Sequence, residues 1–252
     1  MLEIVSSCCQ FSQQKTRTIR HFNRVSYLDI SLSIPFLLLR VLTGSSGYPV
    51  LVRIPPMPKL SAQARARKVR LLLFDVDGVL TDGKMFFLPE HDKSHENTQL
   101  SAQGSIEFKG FHAHDGVAIS LARLGALRTG LITKRYSETV ALRARDLKLE
   151  FVYQGIHDKG AAFKQIVKEA GIRLDEAAFV GDDIVDLPAM RHAGLAIATQ
   201  NARAEVKREA HYTTPHAGGD GALRDAVEFL LKAQGKWKKV LDTYLTEHPA
   251  VQ

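Results

Sequence analysis

Cysteine is almost missing from this sequence of 252 residues: the two present, Cys8 and Cys9, are adjacent and lie near the N-terminus. Such neighbours build no disulfide framework, and no residues with zinc-ligand spacing accompany them. Everything after Cys9 is cysteine-free, which suits a reducing compartment and an expected cytoplasmic location. Long apolar runs are missing too. The best candidate, residues 30–42, is interrupted by Pro35 and Arg40 and falls short of the ~20 residues of a spanning helix. It also starts too deep, behind too many polar residues, for a secretory signal, so no membrane role is expected.

Acidic residues are scarce in one part of the chain only. Residues 1–68 hold 10 Lys/Arg against 2 Asp/Glu, whereas residues 69–252 hold 24 against 25. The net charge of +7 therefore belongs to the N-terminal stretch, and the remainder is near neutral. That division removes the case for a nucleic-acid partner, which would rest on the overall charge alone. Residues 1–56 read as a poorly structured basic extension, with Met57 a natural beginning for the domain that follows.

From residue 69 onward, short apolar runs alternate with helical patterns. The first, VRLLLFDVD at 69–77, is continuously apolar and ends in acid, as a central parallel strand does. Similar runs occupy 127–133, 151–155, 177–182 and 195–199. Helical patterns fill 116–124, 137–147, 159–170, 186–192 and 222–233, with Gly125, Gly171 and Gly194 at expected helix ends. This order predicts parallel βαβ units in a doubly wound α/β sheet. One exception lies at residues 84–111, where KMFFL and SIEFKGF read as a hairpin joined by a long polar loop, 89–104. Residues 236–252 read as a tail, either loose or docked on another subunit.

Ligands of such sheets bind beyond the carboxyl ends of the strands. Four of those ends carry reactive residues: Asp75-Val-Asp77, Thr133-Lys134-Arg135, His157-Asp158-Lys159 and Asp182-Asp183-Ile184-Val185-Asp186. In strand-like backbone Asp75 and Asp77 share a face, and with Asp182 and Asp183 they make an all-oxygen acidic cluster. Hard ligands of this kind suit Mg²⁺, which would let a phosphate approach an anionic nucleophile. Asp75 is placed to attack phosphorus, Asp77 to serve as general acid and base, and Lys159 and Thr133 to hold the transferring oxygens. Each residue alone has a plainer reading, as a cap or turn; the order DxDG, Thr, Lys, GDDxxD in strand context is what argues for a site.

DVDGVLTDG, LIT, HDK and GDDIVD resemble the four motifs of haloacid dehalogenase-like (HAD) hydrolases. The hairpin, FHAHDG, VYQG and GGDGALRDAVEFLL further resemble the 3-deoxy-D-manno-octulosonate 8-phosphate phosphatase family, over about residues 69–235. The resemblance implies a Rossmann-like HAD fold (domain 57–235) with the hairpin as a flap at 84–111. The spacing from Asp77 to Thr133 and from Thr133 to Lys159 leaves no room for a cap domain. It implies Mg²⁺ held by the Asp75 carboxylate, the Asp77 main-chain carbonyl and Asp182. Substrate contacts are implied for His112, His114, Asp115, Gly116, Arg135, Arg143 and Lys159, and a homotetramer in which a neighbouring subunit closes the site. The chain departs from the family pattern at Lys134, in place of a glycine, at His112-Ala113-His114, where the family commonly has Asn-Val-Arg, and at Ser120, where arginine is common. A zinc site at His112 and His114 lacks further well-spaced ligands.

The expected activity is magnesium-dependent removal of phosphate from an acidic sugar phosphate, 3-deoxy-D-manno-octulosonate 8-phosphate by resemblance, in lipopolysaccharide synthesis. The alternatives are a phosphatase for a related nine-carbon keto-acid sugar phosphate and a catalytically silent regulatory domain. Retention of Asp75, Asp77, Thr133, Lys159 and Asp182 together argues against silence.

Overall fold

The computed structural model describes residues 60–89 and 105–247, and within the first 59 residues the backbone of five short strands. The chain divides into two units, 1–59 and 60–252. In the first, β1 (Arg17–Phe22) pairs with β2 (Val25–Ile30), and β3 (Leu32–Ile34), β4 (Leu37–Thr43) and β5 (Pro49–Arg53) form an antiparallel sheet. This differs from the poorly structured extension expected there. Within residues 30–42, weighed above only as a membrane helix, Ile30 ends β2, residues 32–34 form β3 and residues 37–42 lie in β4.

The second unit begins with α1 (Ala62–Ala66), capped by Ser61, and enters β6 (Leu71–Phe74). The hairpin follows as β7 (Phe86–Pro89) and β8 (Ser105–Phe108), with Phe86 opposite Phe108; its loop lies outside the described residues. Then come α2 (Ala113–Leu124), β9 (Arg128–Ile132), α3 (Glu138–Asp146), β10 (Phe151–Tyr153), α4 (Lys159–Glu169) and β11 (Ala177–Gly181). The chain ends with α5 (Leu187–Met190), β12 (Leu195–Ala198), α6 (Ala204–Glu209), β13 (Tyr212–Thr213), α7 (Ala222–Ala233) and α8 (Trp237–Glu247).

The six-stranded sheet has the order β10-β9-β6-β11-β12-β13, parallel throughout. Its central strand shows why the sequence is apolar at every position. Leu72 and Phe74 join a core with Ile119, Leu121, Leu223 and Leu230, while Leu71 and Leu73 join another with Phe163, Ile166, Phe179 and Met190. All four β6 side chains are buried, each worth roughly 1.5–3 kcal/mol of transfer free energy. From β6 the chain winds toward β9 and β10, then returns past β6 to β11, β12 and β13. The direction of winding thus reverses between β6 and β11, where a crevice opens at the carboxyl ends.

Among the described residues no cap domain is inserted: the turn Val76–Leu80, the hairpin and α2 lie between β6 and β9, and α3 and β10 between β9 and α4. The described part of the C-terminal tail packs on its own domain. It forms α8, buries Val240 in the core and packs Trp237 and Tyr244 against it, with Arg224 and Lys232 over the Trp237 ring. No helix among the described residues is long and apolar enough to cross a membrane.

Candidate active site

β6 ends at Phe74, yet Asp75 keeps extended backbone and donates its amide to the Val180 carbonyl at 3.1 Å. The chain then makes a wide helical turn over Val76–Leu80, in which Asp77 and Gly78 leave helical geometry. Gly78 has φ +88°, and a side chain there would run into the Asp182 carboxylate. Glycine is thus required both by the left-handed backbone and by the close approach of the β11 loop. Thr81 closes the turn from within, its hydroxyl donating to the Val76 carbonyl at 3.3 Å. The loop before α7 braces the same turn. Gly219 donates to the Val79 carbonyl, and Asn201 accepts from the Gly218 amide while donating to the Gly78 carbonyl.

Asp75, Asp182 and Asp186 converge here, each offering a carboxylate oxygen within 4.8 Å of the others. One Asp75 oxygen accepts from the Val76 amide at 2.7 Å; the other meets Lys159 Nζ at 2.8 Å. The same ammonium lies 2.6 Å from Asp186 Oδ1, and Lys159 and Asp186 are buried. Asp186 Oδ2 accepts from the Asp182 and Asp183 amides at 3.0 and 3.3 Å. Gly181 permits this, because a Cβ there would overlap the Asp186 side chain.

Three carboxylates thus face one ammonium. Burial, and after it the charge of Asp186, pushes Asp75 up to about 7 against the pull of Lys159. Burial together with Asp186, Asp75 and Asp183 pushes Asp182 up to about 7 as well. For Lys159, burial works against the charge, but Asp75 and Asp186 outweigh it and raise the amine above its ordinary range. The amine stays charged and the surplus is negative. Asp182 Oδ1 is buried with no hydrogen-bond partner, an arrangement that ordinarily costs a few kcal/mol. The donor set and the orphaned oxygen fit a small hard cation such as Mg²⁺.

The expected fourth carboxylate is a different one. Asp183 is exposed and accepts from the Ile184 amide at 2.7 Å, capping the short turn Ile184–Asp186. Asp186, expected as the start of a helix over 186–192, instead folds back under Asp182, and the helix begins one residue later. A GDDxxD spacing is compatible with both, and only the tight turn decides. Asp77 is not in the cluster either. Its Oδ1 accepts from Lys109 Nζ at 2.6 Å, and Arg135 Nε lies 3.9 Å from its Oδ2. Lys109 and Arg135 share Glu107, at 3.4 and 3.3 Å. Glu107 is partly buried, but hydrogen bonding from Ser137, Lys109 and Arg135 prevails and holds it below the usual carboxylate range. Thr133 ends β9 beside β6, buried, its amide bonded to the Tyr153 carbonyl at 2.9 Å.

The remaining predicted residues gather at the start of α2. His112 caps the helix by accepting from the His114 amide, and its ring meets that of His114 edge to face at 4.7 Å. Arg143 reaches over from α3 to the Phe111 ring and to Asp146, and any side chain on Gly116 would strike its guanidinium. Asp115 departs from the expectation of a substrate contact. It is fully buried and accepts from the Gly221 and Arg224 amides at 3.3 and 2.9 Å, capping α7. Its partners lie more than 100 positions away, so no local signal reveals this. Lys109 and Glu107, read only as strand residues, also belong to the site's surroundings.

The family profile described as haloacid dehalogenase-like hydrolase matches residues 64–224. The 3-deoxy-D-manno-octulosonate 8-phosphate phosphatase KdsC of Escherichia coli K12 is 35% identical over 173 residues, 69% of this chain and 85% of that protein. Among solved structures, the phosphatase of that name from Moraxella catarrhalis, in complex with magnesium, phosphate and KDO, is 31% identical with a TM-score of 0.65, covering 73% of this chain and 97% of that one. The Yersinia pestis enzyme is 30% identical with a TM-score of 0.63, covering 79% and 95%. The shared sheet, the acidic cluster between β6 and β11 and these likenesses agree: the chain belongs to the haloacid dehalogenase-like hydrolases, within their 3-deoxy-D-manno-octulosonate 8-phosphate phosphatase family, and is a phosphomonoester hydrolase.

Proposed function

We propose that this protein is a magnesium-dependent phosphatase that hydrolyses 3-deoxy-D-manno-octulosonate 8-phosphate, in lipopolysaccharide synthesis, through a phosphorylated Asp75. The observation that carries this is the buried Asp75–Lys159–Asp186 network beside Asp182, whose inward oxygen has no partner. Asp75 and Asp182, with the Asp77 main-chain carbonyl, would hold the ion. Bound there, Mg²⁺ neutralises phosphate charge so that an anion can approach an anionic nucleophile.

The protein's own groups supply the rest. An Asp75 oxygen forms the bond to phosphorus while the ester P–O bond breaks, its electron pair leaving on the sugar oxygen. Asp77 gives that oxygen a proton, then takes one from the water that attacks the aspartyl-phosphate, which returns Asp75 and releases phosphate. Lys159 holds Asp75 in position and, with the Thr133 hydroxyl, faces the transferring oxygens. Recognition of the acidic sugar falls to Arg135, Arg143, His112 and His114, with Gly116 leaving the space Arg143 needs. Guanidinium suits this task, since it grips a carboxylate bidentately.

The relatives named above carry this substrate in their names, which supports the assignment. Assembly into a homotetramer, one subunit closing the next one's site, belongs to the same proposal. It is supported by the hairpin, where Phe86, Phe87, Leu88 and Phe108 are each more than 40% exposed. So does a cytoplasmic setting, since a charged phosphate ester does not cross a membrane unaided. The test is phosphate release with Mg²⁺ across a panel of sugar phosphates. Preference for the eight-carbon compound is expected; preference for a nine-carbon keto-acid phosphate would move the substrate, and no turnover at all would favour a silent domain.

A further inference from the structure

Asp77 is the acid/base of the proposed mechanism, yet nothing on the strand that carries the nucleophile holds its carboxylate. The group that does is Lys109, the residue after β8. Its side chain is 1% exposed, and its ammonium sits between Asp77 and Glu107, at 2.6 and 3.4 Å. A lysine this deep, paired with a carboxylate that remains 17% exposed, is an expensive way to make an ordinary salt bridge. The hairpin that delivers it shares no ladder with the six-stranded sheet. Glu107 in turn anchors the network to α3 and the β9 end, accepting from Arg135 with its side chain and from Thr139 with its carbonyl.

We infer that Lys109 is a positioning residue that fixes the Asp77 carboxylate for proton transfer, so that the hairpin, and not the central sheet, orients the acid/base. The pairing is directional. A lysine hydrogen bond to Oδ1 leaves Oδ2 to Arg135, which at 3.9 Å and far more exposed holds it only loosely. The inference rests on the acid/base role of Asp77 proposed above, and the experiment separates the two.

A proton donor matters when the leaving oxygen is basic and matters little when it is not. The full-length protein with Mg²⁺ is therefore assayed on a sugar phosphate, with an alkoxide leaving group, and on p-nitrophenyl phosphate, with a stable phenolate. kcat/KM reports only the steps through P–O cleavage, so hydrolysis of the aspartyl-phosphate does not interfere. Asp77→Asn should lower kcat/KM for the sugar phosphate by about 10²-fold or more and for p-nitrophenyl phosphate far less. Lys109→Met should show the same selectivity at about 10-fold or more, mainly in kcat, and Lys109→Arg should recover part of it. If Asp77→Asn is selective but Lys109→Met lowers both substrates equally or neither, the positioning role is overturned and the acid/base role stands. If Asp77→Asn is itself unselective, both fall. Should Lys109→Met not fold, Lys109→Met with Glu107→Gln keeps the network's charge balanced and is read the same way.

Discussion

Two ion-pair networks meet on either side of Val76, and their charge balance differs. On the β11 side, Asp75 and Asp186 share one ammonium, Lys159, and Asp182 joins their cluster without pairing to it. On the hairpin side, Asp77 and Glu107 face two cations, Lys109 and Arg135. The consequence shows in the carboxyl groups: Asp75 and Asp182 are pushed up to about 7, while Glu107 is held below its usual range. Burial is the first cause of that difference, being deeper around Asp75 and Asp182 than around Glu107, and the balance of neighbouring charges adds to it. A divalent cation would supply the positive charge that the deeper network lacks. In the proposed function the deficient network would hold the metal and form the covalent bond, while the balanced one would move protons.

Asp75→Asn keeps the shape and removes the nucleophile, and should lower turnover by roughly 10⁴-fold with the protein still folded. Substantial residual activity would remove the covalent step. Asp186→Asn leaves Lys159 with one fewer buried partner and should destabilise by about 3 kcal/mol, a fall in melting temperature of roughly 6 to 12 °C by thermal denaturation. An unchanged melting temperature would mean that the cluster's geometry does not depend on that pair.

A smaller effect sharpens the charge argument. Asp75 and Asp182 titrate near 7 in the fold against an ordinary 3.8, so between those values the folded chain holds protons that the unfolded chain has lost. Metal-free stability should therefore fall as pH rises from about 4 to about 7. Mg²⁺ competes with those protons, so its stabilising shift in melting temperature should be larger at about pH 8 than at about pH 5.5. Equal shifts would place the ion elsewhere. Smallest is Arg135→Ala, expected to raise KM about 10-fold for an acidic sugar phosphate and little for a small phosphate ester. Equal change on both substrates would take Arg135 out of recognition.

What the sequence made legible follows the same division. The sheet could be read because a doubly covered parallel strand is apolar at every position, as in Leu71–Phe74. Asp75, Lys159 and Asp182 could be read because strand ends in this fold converge, and each ends a run or opens a helix. Asp186 stands in the motif, but its pairing with Lys159 was hidden by a turn that reads equally well as a helix start. Asp115 was hidden because the amides it caps belong to α7, over 100 residues away. Lys109 was hidden because alternation in a hairpin says which face a residue takes, and not that a loop from another strand will bring an aspartate to it. In each miss the deciding contact is tertiary.

The central claim is that the charge deficit around Asp75 is met by a metal ion that makes the site a phosphatase. The direct measurement is phosphate release from 3-deoxy-D-manno-octulosonate 8-phosphate by chelator-treated protein, titrated with Mg²⁺. Release that is absent without the ion and saturates as it is restored is the predicted result. Release that proceeds equally in the chelator, or that stays absent at every Mg²⁺ concentration, would contradict it.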